Sequence, residues 1–217
     1  MTDSEEHDSI SRPGRRTFVQ GAAMAGAAML AADAAAQPVR GGTSMAGDMT
    51  FEDVRKLLDL TPNATCGYVR VTFVSKQRIA AGGLPAPFAE GRPAGSALYF
   101  MLTPEEPVKL HRIRNDQLYH YYMGDPIEVL MLLTDGTSEL HVVGPDLRNG
   151  QTPQLLIPGN TFHTARLIGE RRWFLGASTE WPGVEPVDVE LGNAEALAAR
   201  YPKVAAEIKS FPVPAAR

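Results

Sequence analysis

The chain has 217 residues, 21 Lys and Arg against 25 Asp and Glu, and a formal net charge of −4. This near-neutral balance leaves no basic footprint for nucleic acid. A single cysteine, Cys66, excludes an intramolecular disulfide and with it a disulfide-stapled scaffold.

Residues 2–16 are polar and end in Arg15-Arg16. An apolar run of small residues follows over 18–32, and Ala34-Ala35-Ala36 offers an A-x-A cleavage site before Gln37. This three-part layout is that of a signal peptide. Gly14-Arg15-Arg16-Thr17-Phe18-Val19 resembles the twin-arginine export signal. The apolar run is short against the roughly 20 residues of a membrane span. The expectation is therefore a signal peptide over 1–36, twin-arginine export, and a periplasmic or secreted mature chain with no membrane association after cleavage. Residues 37–49 lack periodicity and read as a linker, and residues 50–212 as one domain.

Thr50 followed by Asp53 is an N-cap signal. Phe51, Val54, Leu57 and Leu58 then repeat at helical spacing, so one short amphipathic helix ends near Leu60, before Pro62. From Gly67 the period changes. Residues 68–74 are rich in β-branched and aromatic side chains. A Gly- and Pro-rich stretch over 80–95 is long for a compact domain and reads as a lid or dimer arm. Strand-like runs follow at 97–102, 108–113, 117–122, 127–133, 139–143, 154–157, 162–167 and 173–179. Turn signals separate them at Asn115-Asp116, Gly124-Asp125-Pro126, Asp135-Gly136, Asn149-Gly150 and Pro158-Gly159. Many short strands with such turns predict an all-β sandwich or barrel. Asn193 begins a helix with Ala194, Leu197, Ala198 and Tyr201 on one face, and a second helical stretch covers 203–211.

The candidate site lies in two segments. His111, Gln117 and Gly124 occur at fixed offsets, and Pro158 and His163 follow five apart. Alternation along a strand puts His111 and Ile113 on one face, and Gln117, Tyr119 and Tyr121 on one face of the next strand. His163 comes from a strand across the barrel. In a small barrel such inward residues converge. The spacing resembles the two half-motifs of the cupin superfamily, in which three His and one Glu bind a divalent metal. Ile113 stands at the second His position and Gln117 at the Glu position. His111, Gln117 and His163 would be the ligands if a metal is bound, although two imidazoles and an amide are a weak set for zinc or iron. The competing readings are a metal-free pocket with His111 or His163 as base and Tyr119 or Tyr121 as acid, a pure binding site, and satisfied polar groups of a core. His120 and His141 read as structural or outward residues, and Cys66 as a small buried one.

Longer segments resemble one cupin subgroup, the fifth, described as a domain of unknown function. Gly67 to Thr72 resembles its GGYYRET strand. Ser96 to Leu102 resembles S-x-I-Y-F-L-L. His111-Arg112 with Asn115 to His120 resembles HR…SDEIWH. Pro158 to Arg166 resembles PAGxWQAAR. The chain departs from it at Asn63-Ala64-Thr65-Cys66-Gly67 for HPEGG, at Gln117 for the acidic residue of SDE, at His163 for the Gln of WQ, and at 177–184 for CTVAPGF. The resemblance implies a double-stranded β-helix, the cupin jelly-roll barrel, with short flanking helices, in a homodimer. It implies a small polar ligand, a sugar or a carboxylate, and an isomerase or epimerase activity. His111 and His163 would then be the acid–base pair, Gln117, Tyr119 and Tyr121 would orient the ligand, and Arg70 would supply an anion contact. A metal-dependent dioxygenase-like enzyme and a non-catalytic binding module are the alternatives.

Overall fold

The computed structural model describes residues 49–212 apart from Arg171. The expected signal peptide and nearly all of the expected linker lie outside the described residues.

The first helix, α1 (Phe51–Leu57), starts on a full capping box. The Thr50 hydroxyl accepts from the Asp53 amide at 3.2 Å, and the Asp53 carboxylate accepts from the Thr50 amide at 2.9 Å. Its buried residue, Val54, packs with Leu60 against Met101, Trp173 and Leu175.

The strands are β1 (Thr61–Pro62), β2 (Tyr68–Val74), β3 (Arg78–Ile79), β4 (Arg92–Pro93), β5 (Ser96–Leu102), β6 (Val108–Ile113), β7 (Asp116–Gly124), β8 (Ile127–Leu132), β9 (Ser138–Val143), β10 (Gln154–Ile157), β11 (Phe162–Leu167), β12 (Phe174–Trp181) and β13 (Val189–Leu191). A six-stranded sheet runs β1-β2-β5-β12-β7-β10, and a five-stranded sheet runs β13-β6-β11-β8-β9, with β3 and β4 as a separate pair. These pairings are antiparallel. The expected all-β jelly-roll architecture with short flanking helices is what forms.

Period-2 alternation sorts each strand into an inner and an outer row. The inner rows meet in one core: Phe100 and Leu102 of β5, Tyr119 of β7, Ile127, Val129 and Met131 of β8, Ala165 and Leu167 of β11, and Phe174 of β12. The outer row of β8, Leu130 and Leu132, is covered by the two C-terminal helices, α2 (Ala194–Arg200) and α3 (Ala205–Ser210), through Leu197, Ala198, Tyr201 and Ile208. Asn193 caps α2 by accepting from the Ala196 amide at 2.9 Å. Gly124 ends β7 at φ +89°, where an added Cβ would lie 2.3 Å from the Trp173 carbonyl oxygen, so only glycine fits.

The stretch over 80–95, read as a lid or arm, is tied down at its C-terminal end, while residues 80–90 are mostly exposed. Arg92 is 1 % exposed and grips Asp188 with two bonds, Nε to Oδ2 at 3.1 Å and Nη2 to Oδ1 at 2.9 Å. Its Nη1 donates to the Gly91 carbonyl at 2.7 Å. Asp188 closes a 3₁₀ turn, Pro186–Asp188. Just before it, Val184 donates its amide to the Ser96 hydroxyl at 3.1 Å, and Asn115 donates to the Pro182 carbonyl at 2.7 Å. The loops around residues 91–96, 115 and 182–188 therefore form one braced end of the barrel.

Candidate functional site

Beneath that braced end the interior turns from apolar to polar. β6 and β11 pair so that His163 stands opposite His111, with ring centroids 4.3 Å apart. Each imidazole places Nδ1 against a carbonyl two residues earlier in the chain: His111 on Lys109 O at 2.8 Å, His163 on Thr161 O at 3.2 Å. A carbonyl only accepts, so Nδ1 carries the proton in both rings and Nε2 carries the lone pair. The Tyr119 hydroxyl, 2.9 Å from His163 Nε2, is therefore the donor in that bond. Among the described residues nothing hydrogen-bonds Nε2 of His111.

Burial keeps this group neutral. It lowers His111 to about 4, and lowers His163 well below the usual imidazole value, with the neighbouring His111 as a second cause. It raises Tyr119 well above the usual phenol value. Cys66, beside Tyr119, is pushed up to about 11 by burial and is a thiol, not a thiolate.

A second cluster continues from the first. β7 and β12 pair Ser178 with Tyr119 and Glu180 with Gln117. The Ser178 hydroxyl lies 2.6 Å from Glu180 Oε1 and 3.2 Å from Gln117 Oε1. The Ser96 hydroxyl lies 2.5 Å from Glu180 Oε2. Burial raises the Glu180 carboxyl, against the two hydroxyls that lower it. No ion pair among the described residues includes Glu180 or either of the two histidines.

The structure thus brings together His111, His163, Tyr119 and Gln117 of the expected set. It does not bring Tyr121 or Arg70 to them. The Tyr121 hydroxyl donates to the Gly124 carbonyl at 2.8 Å, at the far end of β7. Arg70 is exposed on the outer face of β2 and donates to the Leu58 carbonyl at 3.2 Å, while its neighbour Val69 faces the core. His120 and His141 lie outside this interior group. His120 bonds to Thr179 and Gln154, and His141 to Glu139.

Glu180, Ser178 and Ser96 are the residues sequence reasoning missed. The strand was expected to end at residue 179, which left Glu180 in the turn. The alternation Gly176, Ser178, Glu180 was the available signal, because it continues the inner row of β12. At Gln117, where the subgroup resemblance places an acid, the carboxyl group is supplied by Glu180 of the neighbouring strand instead.

The donors do not fit an ion. No group of three or more His, Cys, Asp or Glu that could hold a metal occurs among the described residues. His163 Nε2 is occupied by Tyr119, and Gln117 Oε1 by Ser178. His111, Gln117 and His163 therefore do not present a shared set of open lone pairs.

Residues 52–192 match the family described as "Cupin superfamily (DUF985)", which is more than half of the chain. The chain is a cupin of this family. Two solved structures resemble this cupin over most of its length. A hypothetical protein from Leishmania major is 25% identical with a TM-score of 0.68, covering 75% of this chain and 98% of that one. Protein SO0799 from Shewanella oneidensis is 25% identical with a TM-score of 0.66, covering 77% and 99%. An uncharacterized protein of Saccharomyces cerevisiae, YML079W, is 27% identical over 98 residues, 43% of this cupin and 48% of the yeast protein. The match thus spans about half the length of that curated relative.

Proposed function

We propose that this cupin binds a small polar ligand, a sugar or a carboxylate, at the polar end of its barrel and transfers a proton on it in an isomerase- or epimerase-type reaction. The observation that carries the reading is the asymmetry of the two histidines. His163 spends its lone pair on Tyr119, whereas His111 keeps Nε2 open. His111 is the base, and Tyr119, whose single hydroxyl proton goes to His163 Nε2, becomes the acid-side donor only by turning that proton to the ligand. His163 positions Tyr119.

His111 is 3 %, Gln117 4 % and His163 0 % exposed, so all three are buried in the barrel interior. At neutral pH an imidazole lowered to about 4 is wholly in its basic form. It is also a weak base, which restricts it to a proton already acidified by an adjoining carbonyl.

A thermal-shift screen of sugars and small carboxylates tests binding, and solvent-deuterium incorporation into any hit tests proton transfer. Binding with exchange, and loss of exchange in His111→Ala, supports the reading. A hit that stabilises the protein and never exchanges would make it a non-catalytic binding module. The same proposal includes twin-arginine export and a homodimeric assembly, the second checked by light scattering.

A further inference from the structure

Ser178 has one hydroxyl proton and stands between two oxygens, Glu180 Oε1 at 2.6 Å and Gln117 Oε1 at 3.2 Å. With Glu180 ionised, both oxygens only accept, and a single hydroxyl leaves one buried acceptor bare. With a proton on Glu180 Oε1 every group is served. Glu180 donates to Ser178 Oγ, and Ser178 donates to Gln117 Oε1. On the other side Ser96 donates to Glu180 Oε2 and accepts the Val184 amide at 3.1 Å. Charge favours the same state. Glu180 is 2 % exposed, no ion pair among the described residues includes it, and the two imidazoles of this interior are neutral. A bare carboxylate there would lose its hydration with no cation in return.

We propose that Glu180 is held as a neutral acid and, through Ser178, fixes the Gln117 amide so that the site takes an uncharged, hydroxyl-bearing ligand and rejects a carboxylate. This rests on the reading above that the polar end is a ligand site. With Oε1 pinned by Ser178, Gln117 offers its Nε2–H₂ as donor, and His111 offers Nε2 as acceptor. A ligand hydroxyl accepts from the first and donates to the second. A carboxylate has no proton for His111, and the two imidazoles there are neutral. Glu180 touches Ser178 and Ser96, which makes it a positioning residue.

Glu180→Gln copies the neutral acid, since its amide nitrogen donates to Ser178 and its oxygen accepts from Ser96. Infrared difference spectra of wild type against Glu180→Gln at neutral pH should show a protonated-carboxyl C=O band that the variant lacks. The raised folded-state value means that wild type loses stability as pH climbs above the ordinary carboxylate range, because the unfolded chain releases the proton more easily. The melting temperature of Glu180→Gln should match wild type at acid pH and exceed it increasingly as pH rises above the ordinary carboxylate range. Glu180→Ala, which keeps neither bond, should melt lower than both at acid pH. Thermal shifts with neutral monosaccharides against the matching uronic acids test the ligand class, and only the neutral series should bind, in wild type and Glu180→Gln alike.

A missing carboxyl band, with Glu180→Gln no more stable than Glu180→Ala, would show an ionised Glu180 with the Gln117 amide reversed, and would overturn the proposal. Uronic acids binding as tightly as the neutral sugars would overturn the ligand class. A clear band with no binding in either series would instead sink the ligand-site reading and leave the neutral acid standing.

Discussion

His111 and His163 stand opposite each other on β6 and β11 with ring centroids 4.3 Å apart, and among the described residues only His163 has its Nε2 capped, by the Tyr119 hydroxyl at 2.9 Å. Two side chains of the same type in the same strand register therefore do different work. One lone pair is spent on holding the interior together, and the other has no hydrogen-bond partner among the described residues.

Tyr119→Phe removes that cap and leaves a fully buried lone pair without a donor. The cost should be about 1–3 kcal/mol. Tyr121→Phe loses only its bond to the Gly124 carbonyl, at a half-buried position, and should cost about 0.5–1.5 kcal/mol. Urea unfolding of both variants checks the difference. Equal costs would mean that the Tyr119–His163 bond contributes nothing special.

Acid should destabilise the barrel through His111. Its folded-state value, about 4, lies below the ordinary imidazole value, so the unfolded chain binds the proton more readily. Stability from this group is complete above about pH 6.5 and is lost as pH falls toward 4, on the order of 3 kcal/mol in all. His163 acts in the same direction. His111→Phe should flatten part of the fall in urea midpoint between about pH 7 and pH 4.5; an unchanged slope would assign the acid sensitivity elsewhere.

Removing Arg92 should be among the costliest single changes. Arg92→Met leaves the Asp188 carboxylate buried and unpaired, a loss of about 3–5 kcal/mol. Removing both charges in Arg92→Met/Asp188→Leu should recover much of that, because the bare charge is the main penalty. Guanidinium unfolding of the single and double variants measures the coupling, and additive losses would show that the pair is not coupled.

Replacing Arg15-Arg16 with Lys-Lys should leave the full-length precursor in the cytoplasm. Cell fractionation reads this directly, and unchanged export would rule out the twin-arginine route.

Much of this protein was legible in the chain itself. Alternating apolar residues, Gly- and Asn-rich turns, the Thr50–Asp53 cap and the helical spacing after Asn193 are local signals, and a strand or cap forms from local chemistry. They yielded an all-β barrel with short helices, and the resemblance of the His111 and His163 segments pointed to the family that the fold and the profile match show.

Alternation also says which side of a strand a residue faces, but not how far along the barrel it lies or which strand runs beside it. Tyr121 shares a face with Tyr119, yet ends its reach at Gly124. Arg70 was expected to supply an anion contact, but its strand turns Val69 inward and Arg70 outward. Glu180 stands opposite Gln117 only because β12 pairs with β7 in one register. That pairing joins residues 63 positions apart in sequence. By itself the sequence determined the longer strands, the caps and the kinds of side chain available to the interior, but not the short strands β1, β3, β4 and β13. Only the tertiary structure decided which of them meet, because strand order and register are set by non-local packing of the two sheets.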